Sequence, residues 1–243
     1  PITDIEFSPD GKILASRSWG KLARLWDVQK GTEIATLAHQ SRVRSLSFSP
    51  DGQTLVTSSE EQSGSKEQPI KIWDVNRREL RRSFGGVSDM VWGLEFSPDG
   101  KFMAGREADV VVLRDANTGE VTSRLVGGSG LVDCFAFSPD GKELAIGAGR
   151  TAAIWSVDSG EVLSIVDNLA SVICIAYGPN GKYVSIGLED EGWMLWDIEA
   201  GEVTPNLGGH KKTITSLEFN PDGEVIAVAS DGSNLVDLSL IHI

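Results

Sequence analysis

Several features that define whole classes of proteins are scarce or missing in this sequence of 243 residues. It has only two cysteines, Cys134 and Cys174, and no CxxC pair, which excludes a disulfide framework. It has no apolar run near 18 residues, no signal-like segment and no N-x-Ser/Thr sequon. Reduced thiols without a secretion signal suit a cytoplasmic protein, so we predict that localisation.

Basic residues are also in short supply. The 35 acidic residues outnumber the 22 basic residues, which gives a formal net charge of −13, and no basic run offsets it. Nucleic acids and anionic membranes are bound mainly by lysine and arginine side chains that neutralise phosphates. We therefore expect neither a nucleic acid nor a membrane as the partner.

Motifs for catalysis are missing as well. The sequence has no G-x-S-x-G elbow, no HExxH, no P-loop and no G-x-G-x-x-G. His39 and His210 each lie nine residues before an aromatic residue, Phe48 and Phe219, and this equivalence favours a structural role. We predict that the chain is not an enzyme and that it holds no cofactor and no metal.

Two short motifs, by contrast, recur six times in phase. The first is FSPDG or a close variant, and its aromatic residues are spaced by 41, 48, 41, 40 and 42 residues; they are Phe7, Phe48, Phe96, Phe137, Tyr177 and Phe219. The second is Trp-Asp or a variant of it, and it begins at Trp26, Trp73, Arg114, Trp155, Trp196 and Val236. Repeats of about 40–45 residues are typical of propellers and arrays.

Each repeat indicates four short strands. An apolar stretch precedes the Pro-Asp-Gly turn, a second stretch follows it, and a third alternates up to the Trp-Asp pair. A second turn, Asp-x-x-x-Gly, precedes a fourth strand. The two cysteines occupy one repeat position in the first strand, where other repeats have Ser45, Gly93 and Ser216, so we interpret it as a slot for small residues.

These motifs resemble those of the WD-repeat family, and the resemblance extends to Asp237. It implies an all-β fold, a β-propeller of six four-stranded WD-type blades that start near residues 1, 42, 90, 131, 171 and 213. Family members often brace each blade with a His–Ser/Thr–Asp–Trp hydrogen-bond network. No repeat here carries all four residues, and Arg114 and Val236 replace the tryptophan. A buried member without its partner costs about 1–3 kcal/mol.

Both ends of the sequence fit a fragment of a longer protein. The chain starts inside a first strand without an initiator methionine, and we assign residues 1–237 to the propeller. Residues 238–243 match the translation of a sequencing-adapter end, so we expect a non-native tail and give His242 no role. Most family members close a ring of seven blades, which predicts an incomplete ring; a natural ring of six is the alternative.

Variable residues fall on one loop face, opposite the uniform turns. An insertion at 60–69 accounts for the spacing of 48 residues and predicts a projecting loop. Tryptophan, methionine and arginine are enriched in the cores of protein interfaces. The candidate binding residues on this face are Trp19, in a short loop, and five residues at the starts of inner strands near the expected mouth of the central channel: Arg42, Arg44, Met90, Trp92 and Asp133. A structural alternative is that Met90 and Trp92 plug the channel mouth.

We therefore predict a non-catalytic scaffold for protein–protein interaction that binds a peptide or a protein domain on the loop face. The alternative is a sensor or substrate-docking module of a larger enzyme or regulator whose catalytic domain lies outside this sequence. Flanking domains in the full-length chain would distinguish the two hypotheses.

Overall fold

A computed structural model describes residues 1–60, 68–85, 90–128, 130–207, 212–231 and 236–240, and it describes no side chains at 205–207 or 236–240. Most of the insertion at 60–69, together with His210 and His242, lies outside these residues. The described residues form strands and no helix, so none of them belongs to a helix long and apolar enough to cross a membrane.

The strands pair in chain order into six antiparallel sheets, five with four strands and the last with three described strands. The first three sheets contain β1 (Ile2–Phe7), β2 (Ile13–Ser18), β3 (Leu22–Asp27), β4 (Thr32–Ala38), β5 (Val43–Phe48), β6 (Thr54–Ser59), β7 (Ile70–Asp74), β8 (Glu79–Phe84), β9 (Val91–Phe96), β10 (Phe102–Glu107), β11 (Val110–Asp115) and β12 (Val121–Val126).

The other three sheets contain β13 (Val132–Phe137), β14 (Glu143–Ala148), β15 (Thr151–Ser156), β16 (Val162–Val166), β17 (Val172–Tyr177), β18 (Tyr183–Leu188), β19 (Trp193–Asp197), β20 (Glu202–Leu207), β21 (Ile214–Phe219), β22 (Val225–Ser230) and β23 (Val236–Leu240). The predicted all-β class and six blade-type sheets are confirmed, and the seventh blade stays a prediction. The expected tail boundary after Asp237 falls inside β23, which pairs with β22 on both sides of it.

The turns form for the reason that the repeated motif indicates. In all six, the glycine has a positive φ of 67–77°. Its N–H donates to the carbonyl three residues earlier, as Gly11 does to Ser8. In four turns a serine hydroxyl also donates to the aspartate, at 2.7 Å from Ser8 to Asp10. These local bonds reverse the chain between the first and second strands.

The chain divides into two compact units. The first comprises Pro1–Ala108 and Val112–Ser123, and the second comprises Asp109–Val111 and Arg124–Ile243. Within each unit the first strands of successive sheets contact one another: β1 with β5 and β5 with β9 in the first unit, β13 with β17 and β17 with β21 in the second. The first strands are therefore the inner strands of each unit.

Apolar cores fill the spaces between successive sheets inside each unit. In the first unit, Leu25 and Leu37 pack with Leu46, Phe48 and other residues of the next sheet. In the second unit, one core lies between the sheets of β13–β16 and β17–β20, and another continues to β21 and β22. Both faces of an internal sheet are thus buried, as repeat arrays require.

Among the described residues, no apolar core buries the outward face of β1. Phe7 is 56% exposed, whereas Phe48 at the same repeat position is 5% exposed. Ile5 and Leu46 differ in the same way. The same repeat position is therefore core in one sheet and surface in another.

Bracing of the blades differs from sheet to sheet. The Trp73 indole N–H donates to the Thr57 hydroxyl at 2.7 Å, and the His39 ring nitrogen lies 2.7 Å from the same oxygen. Trp26 donates to Ser16 at 2.8 Å. Within the described residues, the buried indole nitrogen of Trp196 has no hydrogen-bond partner. The hydrogen-bond networks that brace the blades are therefore incomplete in part of the described chain, as the sequence predicts. His39 braces its blade through Thr57, which is the structural role predicted from its repeat position.

Candidate functional site

A β-bulge near the start of the inner strand shapes the loop end of each sheet. In β5, Val43 pairs with Ser59 and Ser45 pairs with Ser58, which leaves Arg44 as the extra residue. The same irregularity makes Asp133 the extra residue of β13. A bulge re-aims the side chain that it carries. Arg44 is the second residue of β5, so the re-aimed side chain belongs to the loop end of the sheet.

The first arginine–tryptophan pair joins two neighbouring loops. Trp19 lies between β2 and β3 and is 61% exposed, and the Arg42 guanidinium carbon lies 3.4 Å from the centroid of its indole ring. The Val43 N–H donates to the Gly20 carbonyl at 3.0 Å, so the backbones of the two loops are also bonded. This cation–π contact holds a large aromatic ring at the surface.

The second pair lies where the second and third sheets meet. The Arg44 guanidinium carbon lies 4.1 Å from the centroid of the Trp92 ring, and that of Arg106 lies 5.5 Å from the same ring. Arg44 also forms an ion pair with Glu60, whose backbone N–H donates to the Arg42 carbonyl at 3.1 Å. We call the following residues the arginine–tryptophan cluster: Arg17, Trp19, Arg42, Arg44, Glu60, Trp92 and Arg106.

Positive charge is concentrated in this cluster. Burial, followed by repulsion from Arg42 and Arg17, lowers the pKa of Arg44 below its usual range. Arg17 forms an ion pair with Asp4 at 3.0 Å. Within the described residues, no carboxylate pairs with Arg42, and the buried Nε atoms of Arg42 and Arg44 have no hydrogen-bond partner. Arg17, Arg42 and Arg44 therefore outnumber the carboxylates of described residues that pair with them, although the whole chain is acidic.

The six residues chosen from the sequence separate into two groups. Trp19, Arg42, Arg44 and Trp92 lie together in the first unit. Met90 joins them through a β-bridge with Glu60, and its side chain is 43% exposed. Asp133 is exposed and belongs to the second unit, so it is described by itself.

Sequence reasoning missed Arg17 and Arg106. Both lie ten residues after the repeat aromatic, near the end of a second strand, where the other repeats have Ser58, Gly147, Gly187 and Ala229. Arg44, Trp92 and Asp133 likewise share the position four residues before the aromatic. Comparing the repeats position by position would have found both arginines, because large charged residues replace small ones there.

Other candidate sites are few in the described part of the chain. It contains no group of three or more His, Cys, Asp or Glu side chains that could hold a metal ion. A cavity of ≈ 420 Å³ lies at the turn end of the first unit and is lined by side chains that include Asp51, Arg81 and Asp99. Neither Cys134 nor Cys174 is in a disulfide, and burial raises the pKa of Cys174 to about 12, which disfavours the reactive thiolate.

Comparison with known proteins supports the assignment from the repeats. The family described as WD domain, G-beta repeat matches residues 1–27, 31–74, 119–156 and 201–235, more than half of the chain. The chain is 26% identical over 222 residues to transcription initiation factor TFIID subunit 5 of Caenorhabditis elegans, covering 90% of this chain and 27% of that protein. It is 27% identical over 218 residues to the human serine-threonine kinase receptor-associated protein, covering 88% of this chain and 59% of that protein.

A solved structure shows the same fold. A chain in the crystal structure of the mitotic checkpoint complex matches with a TM-score of 0.82 and 22% identity, covering 100% of this chain and 75% of that one. The present chain spans less than two thirds of the length of both curated relatives. The matched repeats, the sheet order and the motif-bearing turns agree with one another. The chain therefore belongs to the WD domain, G-beta repeat family.

Proposed function

We propose that this chain is a non-catalytic scaffold that binds a peptide or a protein domain on its loop face, through the arginine–tryptophan cluster. The observation that carries the proposal is the pair of stacked arginine–tryptophan contacts at the surface of the first unit. Tryptophan and arginine dominate the binding energy of protein interfaces because they combine large apolar area with directed polar groups.

The names of the relatives support the same class of function. One is a subunit of a transcription initiation factor, one is a receptor-associated protein, and the matching structure is that of a multiprotein complex. None of these names describes an enzyme. The net charge of −13 supports a protein partner over a nucleic acid or an anionic membrane. Localisation in the cytoplasm stays a prediction.

Truncation of the two tryptophan rings tests this proposal. We expect Trp19→Ala or Trp92→Ala to weaken partner binding by about 2 kcal/mol, because each removes an aromatic anchor. Proteins enriched by the immobilised wild-type chain would first be identified by quantitative mass spectrometry. The affinity of the most enriched partner would then be measured by calorimetry for each variant.

The matched control is Val28→Ala, since Val28 is 41% exposed in the β3–β4 turn, away from the cluster. We expect wild-type affinity for that variant. Unchanged affinity in both tryptophan variants, with unchanged melting temperatures, would remove the cluster as the binding surface.

A further inference from the structure

The chemistry of the cluster restricts the kind of partner, provided that the proposed function holds. Arg17 and Arg42 lie close enough to Arg44 to oppose the charge on its guanidinium. In the described part of the chain, the carboxylates that pair with these three arginines are those of Asp4 and Glu60. A surface that crowds guanidinium groups and leaves one without a carboxylate favours an anionic ligand.

The Arg44–Glu60 ion pair indicates which anion fits. Glu60 directly follows β6, where the insertion begins, and its side chain is 30% exposed, against 14% for Arg44. Glu60 is therefore the more accessible partner of the ion pair. A ligand carboxylate that pairs with the Arg44 guanidinium would have to replace that of Glu60.

The exposed indole adds an apolar contact beside the charges. One face of Trp19 carries the Arg42 guanidinium, and most of the remaining ring surface is open. The methylene groups of glutamate side chains can pack on such a ring while their carboxylates reach arginine. A phosphate or a nucleic acid would satisfy the charge, but the seated carboxylate favours an acidic peptide.

We propose that the partner segment bound by the cluster is rich in aspartate and glutamate. In the absence of that segment, Glu60 pairs with Arg44, and a carboxylate of the segment displaces Glu60 on binding. The carboxylate of Glu60 and a carboxylate of the partner segment then compete for the Arg44 guanidinium. Removal of the Glu60 carboxylate raises the affinity for the acidic segment, and removal of the Arg44 guanidinium lowers it.

The test uses three labelled decapeptides of alternating residues, Glu-Gly, Gln-Gly and phosphoserine-Gly, and measures fluorescence anisotropy with the full chain. The Glu-Gly peptide should bind and the Gln-Gly peptide should not. Arg44→Gln should weaken Glu-Gly binding by at least about tenfold, which corresponds to about 1.4 kcal/mol. The matched control, Arg77→Gln, makes the same charge change at an exposed residue of the β7–β8 turn and should bind like the wild type.

Glu60→Gln is the decisive variant, because a misfolded protein cannot mimic a gain. It removes the competing charge and should tighten Glu-Gly binding by about threefold to tenfold, that is, by up to about 1.4 kcal/mol. Binding should also weaken as salt is raised from 50 to 200 mM, as ion pairing at a surface requires.

Three results would overturn the inference: binding of the phosphoserine peptide without the Glu-Gly peptide, equal loss in Arg44→Gln and Arg77→Gln, or no gain in Glu60→Gln. Any of them, combined with loss of the protein partner in Trp19→Ala, leaves the proposed function standing and removes only the acidic segment. If Trp19→Ala and Trp92→Ala both bind the peptide and the partner as the wild type does, the proposed function itself is wrong.

Discussion

At the scale of single residues, a buried ion pair replaces one tryptophan of the repeat. Arg114 stands where most repeats have tryptophan and donates to Glu107 at 2.8 Å and to the Gly119 carbonyl at 3.3 Å. Both side chains of the ion pair are almost fully buried. Because an isolated buried charge is far more costly than a buried pair, each partner depends on the other.

We expect Glu107→Gln to lower the free energy of unfolding by about 3 kcal/mol, since it leaves the Arg114 charge without its carboxylate. The double variant Glu107→Leu with Arg114→Met should recover most of that loss, because it removes both charges. Urea denaturation followed by circular dichroism measures both. A double variant no more stable than Glu107→Gln would contradict this reading of the pair.

Glu6 gives the stability of the chain a defined pH dependence. Its carboxylate accepts a hydrogen bond from the Phe48 N–H at 3.0 Å, between the first and second sheets. Burial, opposed by this hydrogen bond and aided by the charge of Asp4, raises the pKa of Glu6 from 4.5 to about 7. The folded state therefore holds this proton more tightly than the unfolded state does.

The contribution of Glu6 to stability is greatest below pH 4.5 and falls as the pH rises through the folded pKa of about 7. We expect the difference in unfolding free energy between wild type and Glu6→Gln to shift by about 1 kcal/mol against the wild type from pH 5 to pH 8, since partial exposure screens the charge. The glutamine oxygen can still accept the Phe48 N–H. A difference that is constant with pH would show that Glu6 does not titrate in this range.

At the scale of elements, the second turn of the repeat contains a conformation that its residue disfavours. The glycine of the Asp-x-x-x-Gly turn has a φ of 65–75° at Gly31, Gly119, Gly160 and Gly201. In the second sheet Arg78 takes that place with a φ of 63°, and its N–H donates to the Asp74 carbonyl at 2.7 Å. A left-handed conformation costs a residue with a Cβ about 1–2 kcal/mol.

We expect Arg78→Gly to raise the free energy of unfolding by about 0.5–1 kcal/mol, because relief of this strain exceeds the added entropy of the unfolded chain. Arg78→Ala is the matched control: it removes the guanidinium but keeps the Cβ, so it should give no such gain. Thermal melting of the three proteins measures the difference. Equal melting temperatures for the glycine and alanine variants would contradict a backbone origin.

Elements of the fold were predictable where local chemistry determines them. The six Pro-Asp-Gly turns and the alternating strands follow from residues that are neighbours in the chain. The Arg114–Glu107 pair was not predictable in the same way, because the partner lies on the adjacent strand, two residues beyond the repeat position that pairs with tryptophan elsewhere. The bulge at Arg44 depends on the register of β5 against β6, which no local motif indicates.

At the scale of the whole molecule, the sequence identified four of the residues that meet in the cluster, but not their pairing. Trp19 and Arg42 belong to different loops, and Arg44 and Trp92 belong to different sheets, so their contacts depend on how the blades pack. The net charge of the sequence also gives no indication of the cluster. A chain with a net charge of −13 nevertheless brings Arg17, Arg42 and Arg44 close together in its first unit.

We propose that a partner protein docks on the arginine–tryptophan cluster and not on the turn end of the same unit. Site-specific photo-crosslinking tests it most directly, with a photoreactive phenylalanine analogue at Met90 or at Val28, two positions of nearly equal exposure, 43% and 41%. We expect a discrete crosslinked partner from position 90, lost when Trp19→Ala is added, and none from position 28. The same partner crosslinked from position 28 and absent at position 90 would contradict it.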